Sequence, residues 1–351
     1  MVLGAGLLGD LHSLLPRFCP AARYAIIADS HVAEAYGKRV RDAAQKVAPT
    51  TLHTFPAGEW NKTRENWLTL TDQLLADGLG RDGAVLALGG GVTGDLAGFV
   101  AATLLRGVPY VQLPTTLLAM IDSSVGGKTG VDTIAGKNLV GAFHQPRAVI
   151  ADVDTLSTLP RNQLVAGMAE ALKHGAVADR DYFNLLLESR EQILMRDPAI
   201  LTGLVARSVE IKAQVVAEDE KEHGRRAVLN FGHTVGHAVE AAAGFSLLHG
   251  EAVATGMALE AELGVRMSIT DAGEARTLRT ALERFSLPTE LPGDLRVERL
   301  VDAMRHDKKS RDQTIRASLI RRIGEPARGK KGEWTTPVDE EFITAVLSGA
   351  N

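Results

Sequence analysis

Apolar and polar positions along this chain fall into two rhythms. In the first half, β-like runs at Tyr24–Ala28, Thr51–Phe55, Ala84–Leu88, Tyr110–Leu113 and Ala148–Ala151 predict buried strands. Between them lie stretches with apolar residues at helical spacing, such as Trp67, Leu70, Leu74 and Leu75 within Trp67–Leu79. Strand and helix in alternation predict a parallel sheet with helices on both faces. The rhythm changes near Thr158, Leu159 and Pro160. From there to about Leu300, alanine-rich helical patterns dominate, over Gln163–His174, Ile200–Glu218, His233–Ala243 and Glu251–Met267. One further strand is predicted at Thr314–Ile320, and Gly329–Gly332 reads as a polar turn before a last helix. The expected layout is an α/β domain over residues 1–159 and a mostly α-helical domain over 160–351.

Composition narrows the classes. A chain of 351 residues is long for a single core. Apolar residues at 45% and charged residues at 23% are ordinary for a folded protein, which argues against disorder. Thirty-nine basic residues against 43 acidic ones give a net charge of -4, so no basic excess draws the chain to nucleic acid or anionic membrane. Cys19 stands alone, so no internal disulfide or cysteine metal cage forms, which suits a reducing cytoplasm. The uncharged run Gly107–Ile121 is too short and too polar to span a bilayer. The N-terminus lacks a basic segment and Asp10 interrupts its apolar stretch, so no signal peptide is expected.

Three glycine-rich segments carry candidate chemistry. Gly4–Gly9 matches G-x-G-x-x-G, but only Met1, Val2 and Leu3 precede it, too little for the strand such a fingerprint needs. The expectation there is a loop opening a helix. Asp29 ends a predicted strand, where α/β proteins place ligand contacts, and its carboxylate suits ribose hydroxyls. Gly89-Gly90-Gly91-Val92-Thr93-Gly94-Asp95 carries more weight, because it follows a strand and opens a helical pattern. Glycines let the backbone approach a pyrophosphate, and a helix N-terminus favours anions. Glu59-Trp60-Asn61-Lys62 by itself reads as a charged turn. Asp122–Gly130 is not a P-loop, because Asp122 occupies the place of the first glycine. Its glycines still present Lys128 to a phosphate or nucleotide, and Gly136-Lys137-Asn138 adds another cation.

The second half carries a metal-ligand pattern. His233 and His237 share one face of a helix, His249-Gly250-Glu251 follows, and Glu170 lies on another helical stretch. Two imidazoles and one carboxylate make a catalytic zinc set that leaves a position for substrate. One such histidine alone reads as a packed or capping residue; the cluster with a nearby acid favours metal. Spacing leaves open whether His237 ligates metal or faces substrate. Lys173, Lys212, Arg225, Arg226, Lys308 and Lys309 recur around these motifs. Most such side chains are solvated. Converging, they would form a cationic pocket for a small substrate bearing phosphate and carboxylate.

Taken in order, these motifs resemble the 3-dehydroquinate synthase family of the sugar-phosphate cyclase superfamily. The most specific segments are Gly89–Arg106, Leu113–Phe143, Gly167–Gly175, Asn230–Glu240 and Leu248–Met257. The resemblance implies an N-terminal Rossmann-like NAD-binding α/β domain and a C-terminal, mostly α-helical, metal- and substrate-binding domain. It implies Glu170, His233 and His249 as ligands of zinc or cobalt. It implies NAD contacts from Asp29, Glu59, Lys62, Gly90, Gly91, Asp95, Thr115 and Thr116, with Asp122, Lys128, Lys137, Asn138 and Thr158 nearby. Substrate contacts are implied for Lys128, Lys173, Lys212, Arg226, Asn230, His237 and a lysine of Asp307-Lys308-Lys309, with His237 assisting proton transfer. Arg106 would reach the substrate phosphate across a homodimer interface. The implied reaction converts 3-deoxy-D-arabino-heptulosonate 7-phosphate to 3-dehydroquinate and phosphate. Transient oxidation by NAD acidifies a C–H bond, phosphate leaves, the hydride returns, and ring opening with aldol closure gives the product.

Two departures from the family pattern stand out. The β-hairpin that its members usually carry before Gly6 is absent, and Asp132 replaces an asparagine common just after the Lys128–Val131 loop, adding negative charge beside the expected nucleotide. Sibling cyclases making valiolone-, inosose- or amino-dehydroquinate-type products would share the fold and cofactors. His237 and the Asp307-Lys308-Lys309 motif favour dehydroquinate synthase among them. A metal-dependent polyol dehydrogenase would instead release NADH stoichiometrically. A catalytically silent nucleotide-binding protein would lack a metal ligand or substrate lysine, and this sequence lacks none.

Overall fold

A computed structural model describes residues 1–134, 136–219, 224–244, 246–293, 295–306, 314–329 and 332–349. The chain divides into two units. The first is Met1–Leu159 with Arg196–Ala206; the second is Pro160–Met195 with Arg207–Asn351.

In the first unit the strands are β1 (Val2–Gly4), β2 (Tyr24–Asp29), β3 (Thr50–Phe55), β4 (Ala84–Gly89) and β5 (Tyr110–Pro114). A hairpin of β6 (Lys128–Thr133) and β7 (Gly136–Phe143) follows, and then β8 (Ala148–Asp152). Apart from the hairpin they form one six-stranded parallel sheet in the order β1-β8-β5-β4-β2-β3. The helices are α1 (Leu11–Phe18), α2 (Ser30–Val32), α3 (Lys38–Ala44), α4 (Arg64–Ala76) and α5 (Gly91–Thr103). Side chains alternate across a strand, so Ile26 and Ala28 pack with α1 and α3, while Ala25 and Ile27 pack with α4 and α5. Burial on both faces is why the strands read as unbroken apolar runs rather than as alternation. The five predicted strands are β2, β3, β4, β5 and β8.

Two features of this unit depart from the periodicity reading. A strand, β1, does precede Gly4–Gly9, at the sheet edge beside β8. The motif still opens a helix instead of holding a ligand, because its amides are taken. Gly6 N and Leu8 N donate to the two carboxylate oxygens of Asp152, each at 2.9 Å, and Asp154 N adds a third bond at 3.1 Å. The hairpin was invisible as strand because its glycines break any β-pattern; one of them, Gly130, packs against the Val140 carbonyl, which an added Cβ would meet at 2.7 Å.

The second unit is built from α6 (Arg161–Ala178), α7 (Arg180–Glu188), α8 (Arg190–Leu194), α9 (Pro198–Glu218), α10 (His233–Ala242), α11 (His249–Arg266), α12 (Ala272–Arg284), α13 (Val297–His306) and α14 (Glu340–Leu347). The first residues of α9 belong to the other unit. Four short strands, β9 (Arg316–Ala317), β10 (Ile320–Arg322), β11 (Glu325–Pro326) and β12 (Thr336–Pro337), form two antiparallel pairs. The strand expected at Thr314–Ile320 is therefore split between two pairs. Helices α6 and α11 are buried along most of their length, which is why their sequences are rich in alanine and glycine and lack a polar face. Among the described residues no helix is long and apolar enough to cross a membrane.

Candidate active site

Three helices of the second unit bring the metal-ligand candidates together. Glycine beside each histidine lets them approach. A Cβ on Gly250 would lie 1.9 Å from the Ala166 carbonyl of α6, and one on Gly256 would lie 1.9 Å from the carbonyl of Gly232, the residue before α10. With the backbones this close, His233 Nε2 is 3.7 Å and His249 Nε2 3.8 Å from Glu170 Oε1. The three ligand atoms all lie within 4.8 Å of one another. Donors about 2.0–2.2 Å from a tetrahedral ion stand roughly 3.3–3.6 Å apart, so the set is near ligand spacing. Glu170 is wholly buried, and its Oε1 has no hydrogen-bond partner. Lys173, one turn further along α6, forms an ion pair with it. A buried carboxylate whose unpaired oxygen faces two imidazoles fits a divalent cation.

Behind the ligands stand residues the sequence reading missed. His233 Nδ1 is 3.3 Å from the Phe231 carbonyl, and His249 Nδ1 is 3.5 Å from Glu240 Oε2. Glu260, buried within α11, accepts from Gly232 N at 2.7 Å and Val235 N at 2.9 Å. Its charge faces the N-terminal turn of α10 and holds the backbone that presents His233. Glu240 had a signal: it lies on the same face of α10 as His233 and His237. Glu260 had none, since a glutamate inside an alanine-rich helix reads as solvated.

His237 packs against both histidines, its ring centroid 5.1 Å from that of His233 and 6.3 Å from that of His249. It belongs to neither of the candidate ligand groups found among the described residues. Lys173, Lys212 and Arg226 are all at most 7% exposed. Lysine and arginine are seldom buried without a task. Asn230 ends the short 3-10 turn Arg225–Asn230, just ahead of α10. Lys308 and Lys309, with Asp307, lie outside the described residues.

In the first unit the chain runs from β2 outward to β3 and then back across to β4. This reversal makes a crevice at the carboxyl ends of β2 and β4, the usual nucleotide position in such sheets. Asp29 and the Gly89–Asp95 loop flank it. Thr93 donates its hydroxyl to Asp29 Oδ2 at 3.2 Å, and Asp29 Oδ1 accepts from His31 N and Val32 N. Asp29 thus already caps α2. Gly90 and Gly91 open α5, and Thr115 N bonds the Gly89 carbonyl at 2.9 Å. A Cβ on Gly90 would meet Thr116 Cγ2 at 3.1 Å, so Gly90, Thr115 and Thr116 sit together. Asp122 lies in the helical turn Ala119–Ser123.

Glu59, Lys62 and Asp95 converge into one charge cluster with Asp132. Buried Lys62 Nζ lies 2.9 Å from Glu59, 3.5 Å from Asp95 and 3.6 Å from Asp132; Lys137 reaches Glu59 at 3.4 Å. Burial pushes the Asp95 carboxyl up to about 6 against the pull of Lys62, with Glu59 and Asp132 adding to the rise. Burial draws Lys62 down, but the three carboxylates outweigh it and hold its ammonium above the ordinary range. Asp132, raised by burial and opposed by Lys62, accepts from Asn138 N at 2.8 Å. It thereby pins the hairpin bearing Lys128, Lys137 and Asn138. Lys128 itself is exposed at the start of β6. Thr158 stands apart from this cluster, its hydroxyl 2.6 Å from that of Tyr36. Arg106 is exposed on a strained turn in which Leu105, Arg106 and Gly107 all have positive φ (51°, 68° and 117°).

Comparison with known proteins identifies the family. The family model for the 3-dehydroquinate synthase N-terminal domain matches residues 52–166, and that for its C-terminal domain matches 167–310. A 3-dehydroquinate synthase of Symbiobacterium thermophilum is 49% identical over 326 residues, covering 92% of this chain and 91% of the relative. A solved 2-deoxy-scyllo-inosose synthase, complexed with carbaglucose-6-phosphate, NAD+ and Co2+, is 30% identical. It superposes with a TM-score of 0.90 over 99% of this chain and 95% of its own. The 2-epi-5-epi-valiolone synthase of Streptomyces hygroscopicus, with NAD+ and Zn2+ bound, gives the same identity, TM-score and coverage. Two matching domains and near-complete coverage at this identity place the chain in the 3-dehydroquinate synthase family.

Proposed function

We propose that this chain is a carbon–oxygen lyase that converts 3-deoxy-D-arabino-heptulosonate 7-phosphate to 3-dehydroquinate and phosphate, with NAD and zinc or cobalt as cofactors. The observation that carries the proposal is the buried Glu170 carboxylate, whose Oε1, without a hydrogen bond, faces His233 and His249. Identity to a curated dehydroquinate synthase, 49%, exceeds the 30% shared with the two solved sibling cyclases. When bound, the ion supplies Lewis acidity and NAD supplies a hydride acceptor restored within each turnover.

The protein's own groups do the rest. Lys173, Lys212 and Arg226 bind phosphate and carboxylate in surroundings poor in water, where their charges act strongly. Asn230 orients substrate hydroxyls. His237, beside the ligand pair, moves a proton to or from the substrate. Lys128, Asp122, Lys137, Asn138 and Thr158 complete the nucleotide and substrate contacts around Asp29, Gly90, Gly91, Thr115 and Thr116. The Lys62 cluster orders the edge of that site. Lys308 or Lys309 supplies a further cation, and Arg106 reaches the phosphate held by a second copy in a cytoplasmic homodimer.

The test is an assay of purified protein with the heptulosonate phosphate, substoichiometric NAD and zinc or cobalt. Phosphate, dehydroquinate and net NADH are followed together. Equal phosphate and dehydroquinate over many turnovers per NAD is the expected result. Turnover only with heptulose 7-phosphate or glucose 6-phosphate would instead assign a sibling cyclase, and stoichiometric NADH a dehydrogenase.

A further inference from the structure

We infer that Glu240 is a positioning residue for the metal centre, holding the ring of His249 in the one orientation that can ligate. The inference rests on the metal reading above and extends it to a residue outside the ligand set. His249 is the first residue of α11, and its side chain is 31% exposed, so packing alone does not fix its ring. Its two nitrogens face two carboxylates: Nε2 lies 3.8 Å from Glu170 Oε1, and Nδ1 lies 3.5 Å from Glu240 Oε2. Glu240 is 7% exposed in its side chain and comes from α10, the helix that carries His233.

A neutral imidazole ligates through the nitrogen that lacks hydrogen. A carboxylate at Nδ1 accepts the N–H there and leaves Nε2 as the donor to metal. The other tautomer would turn the Nε2 N–H toward Glu170, and a flipped ring would turn a C–H there; either removes one ligand. The two histidines are backed differently. His233 has the neutral carbonyl of Phe231 behind it, whereas His249 has a charge. With Glu240, the centre holds two carboxylates against one divalent ion, so the loaded site is formally neutral before Lys173 and substrate are counted. Glu240 thus tunes affinity as well as orientation.

The experiment compares the parent chain with Glu240→Gln and Glu240→Ala. Zn2+ and Co2+ dissociation constants are measured by competition with a chromophoric chelator, alongside the visible spectrum of the Co2+ form. The metal-free melting temperature serves as the fold control. Loss of an outer carboxylate typically weakens binding about ten- to a hundredfold, and Glu240→Ala is expected in that range with an altered Co2+ spectrum. Glu240→Gln, whose amide oxygen can accept from Nδ1, is expected to lose less. Parent-like affinities in both variants overturn the inference, as does a lowered metal-free melting temperature with unchanged affinity. Should Glu240→Ala not fold, Glu240→Gln decides, because it keeps the shape and drops the charge. A parent chain that takes up neither ion overturns the metal reading and this inference with it.

Discussion

The Lys62 cluster shows how a single residue's surroundings set its chemistry. Three carboxylates around one buried ammonium leave excess negative charge in a poorly solvated place, and Asp95 bears the consequence. Its folded-state value of about 6 lies above the ordinary aspartate value, so the folded chain binds the proton more tightly than the unfolded one. Stability from this group is present at low pH and is lost as pH rises through about 6. The parent is therefore expected to lose stability relative to Asp95→Asn between about pH 4 and pH 6, by at most about 3 kcal/mol, and to run parallel above. Chemical denaturation of both proteins across that range measures it; parallel curves throughout would refute the shift. The acidic excess that Asp132 brings was legible in the sequence. That Asp132 would share a lysine with Asp95 and Glu59 was not, because these residues are far apart in the chain and meet only through β6 and α5.

At the level of elements, the site depends on how closely α6, α10 and α11 approach. Leucines or valines at the contacts would hold helix axes about 8–10 Å apart; glycine permits less. Gly256→Ala places a methyl group 1.9 Å from the Gly232 carbonyl, so α11 must move away from α10. The expected cost is about 1–3 kcal/mol, with metal affinity falling as His249 leaves His233. Calorimetry and metal titration check both; a variant matching the parent in each would show that the contact relaxes freely. Helical spacing revealed α6, α9, α10 and α11 in advance, because buried helices keep their apolar rows. It did not reveal β1 or the β6–β7 hairpin. The first is too short to show a period, and the second is built on glycines chosen for close approach rather than for β-propensity.

For the molecule as a whole, the group Glu170, His233 and His249 lies within the second unit and the crevice at the carboxyl ends of β2 and β4 within the first. A ligand that binds only the folded chain stabilises it by mass action. Zinc or cobalt at a hundred times its dissociation constant is expected to add about 2.7 kcal/mol, reversed by chelator and abolished in Glu170→Gln. Differential scanning calorimetry with and without metal tests this; an unchanged transition in the parent would overturn the metal reading, and a full shift in Glu170→Gln would remove Glu170 from the ligand set. By itself the sequence determined the alternation of strand and helix, the change of rhythm near residue 160, the cluster of Glu170, His233, His237 and His249 as ligand candidates, and the family resemblance. These rest on local periodicity and on residue types whose chemistry is restricted, and such signals survive in one dimension. Only the tertiary structure decided that Gly4–Gly9 would bind the chain's own Asp152. It also decided that Asp29 would cap α2, and that Glu240 and Glu260 would stand behind the histidines. Those outcomes depend on which unpaired donors and charges face each other once the elements pack. A buried polar group must be satisfied by whatever neighbour the fold supplies, and that neighbour is not written beside it in the chain.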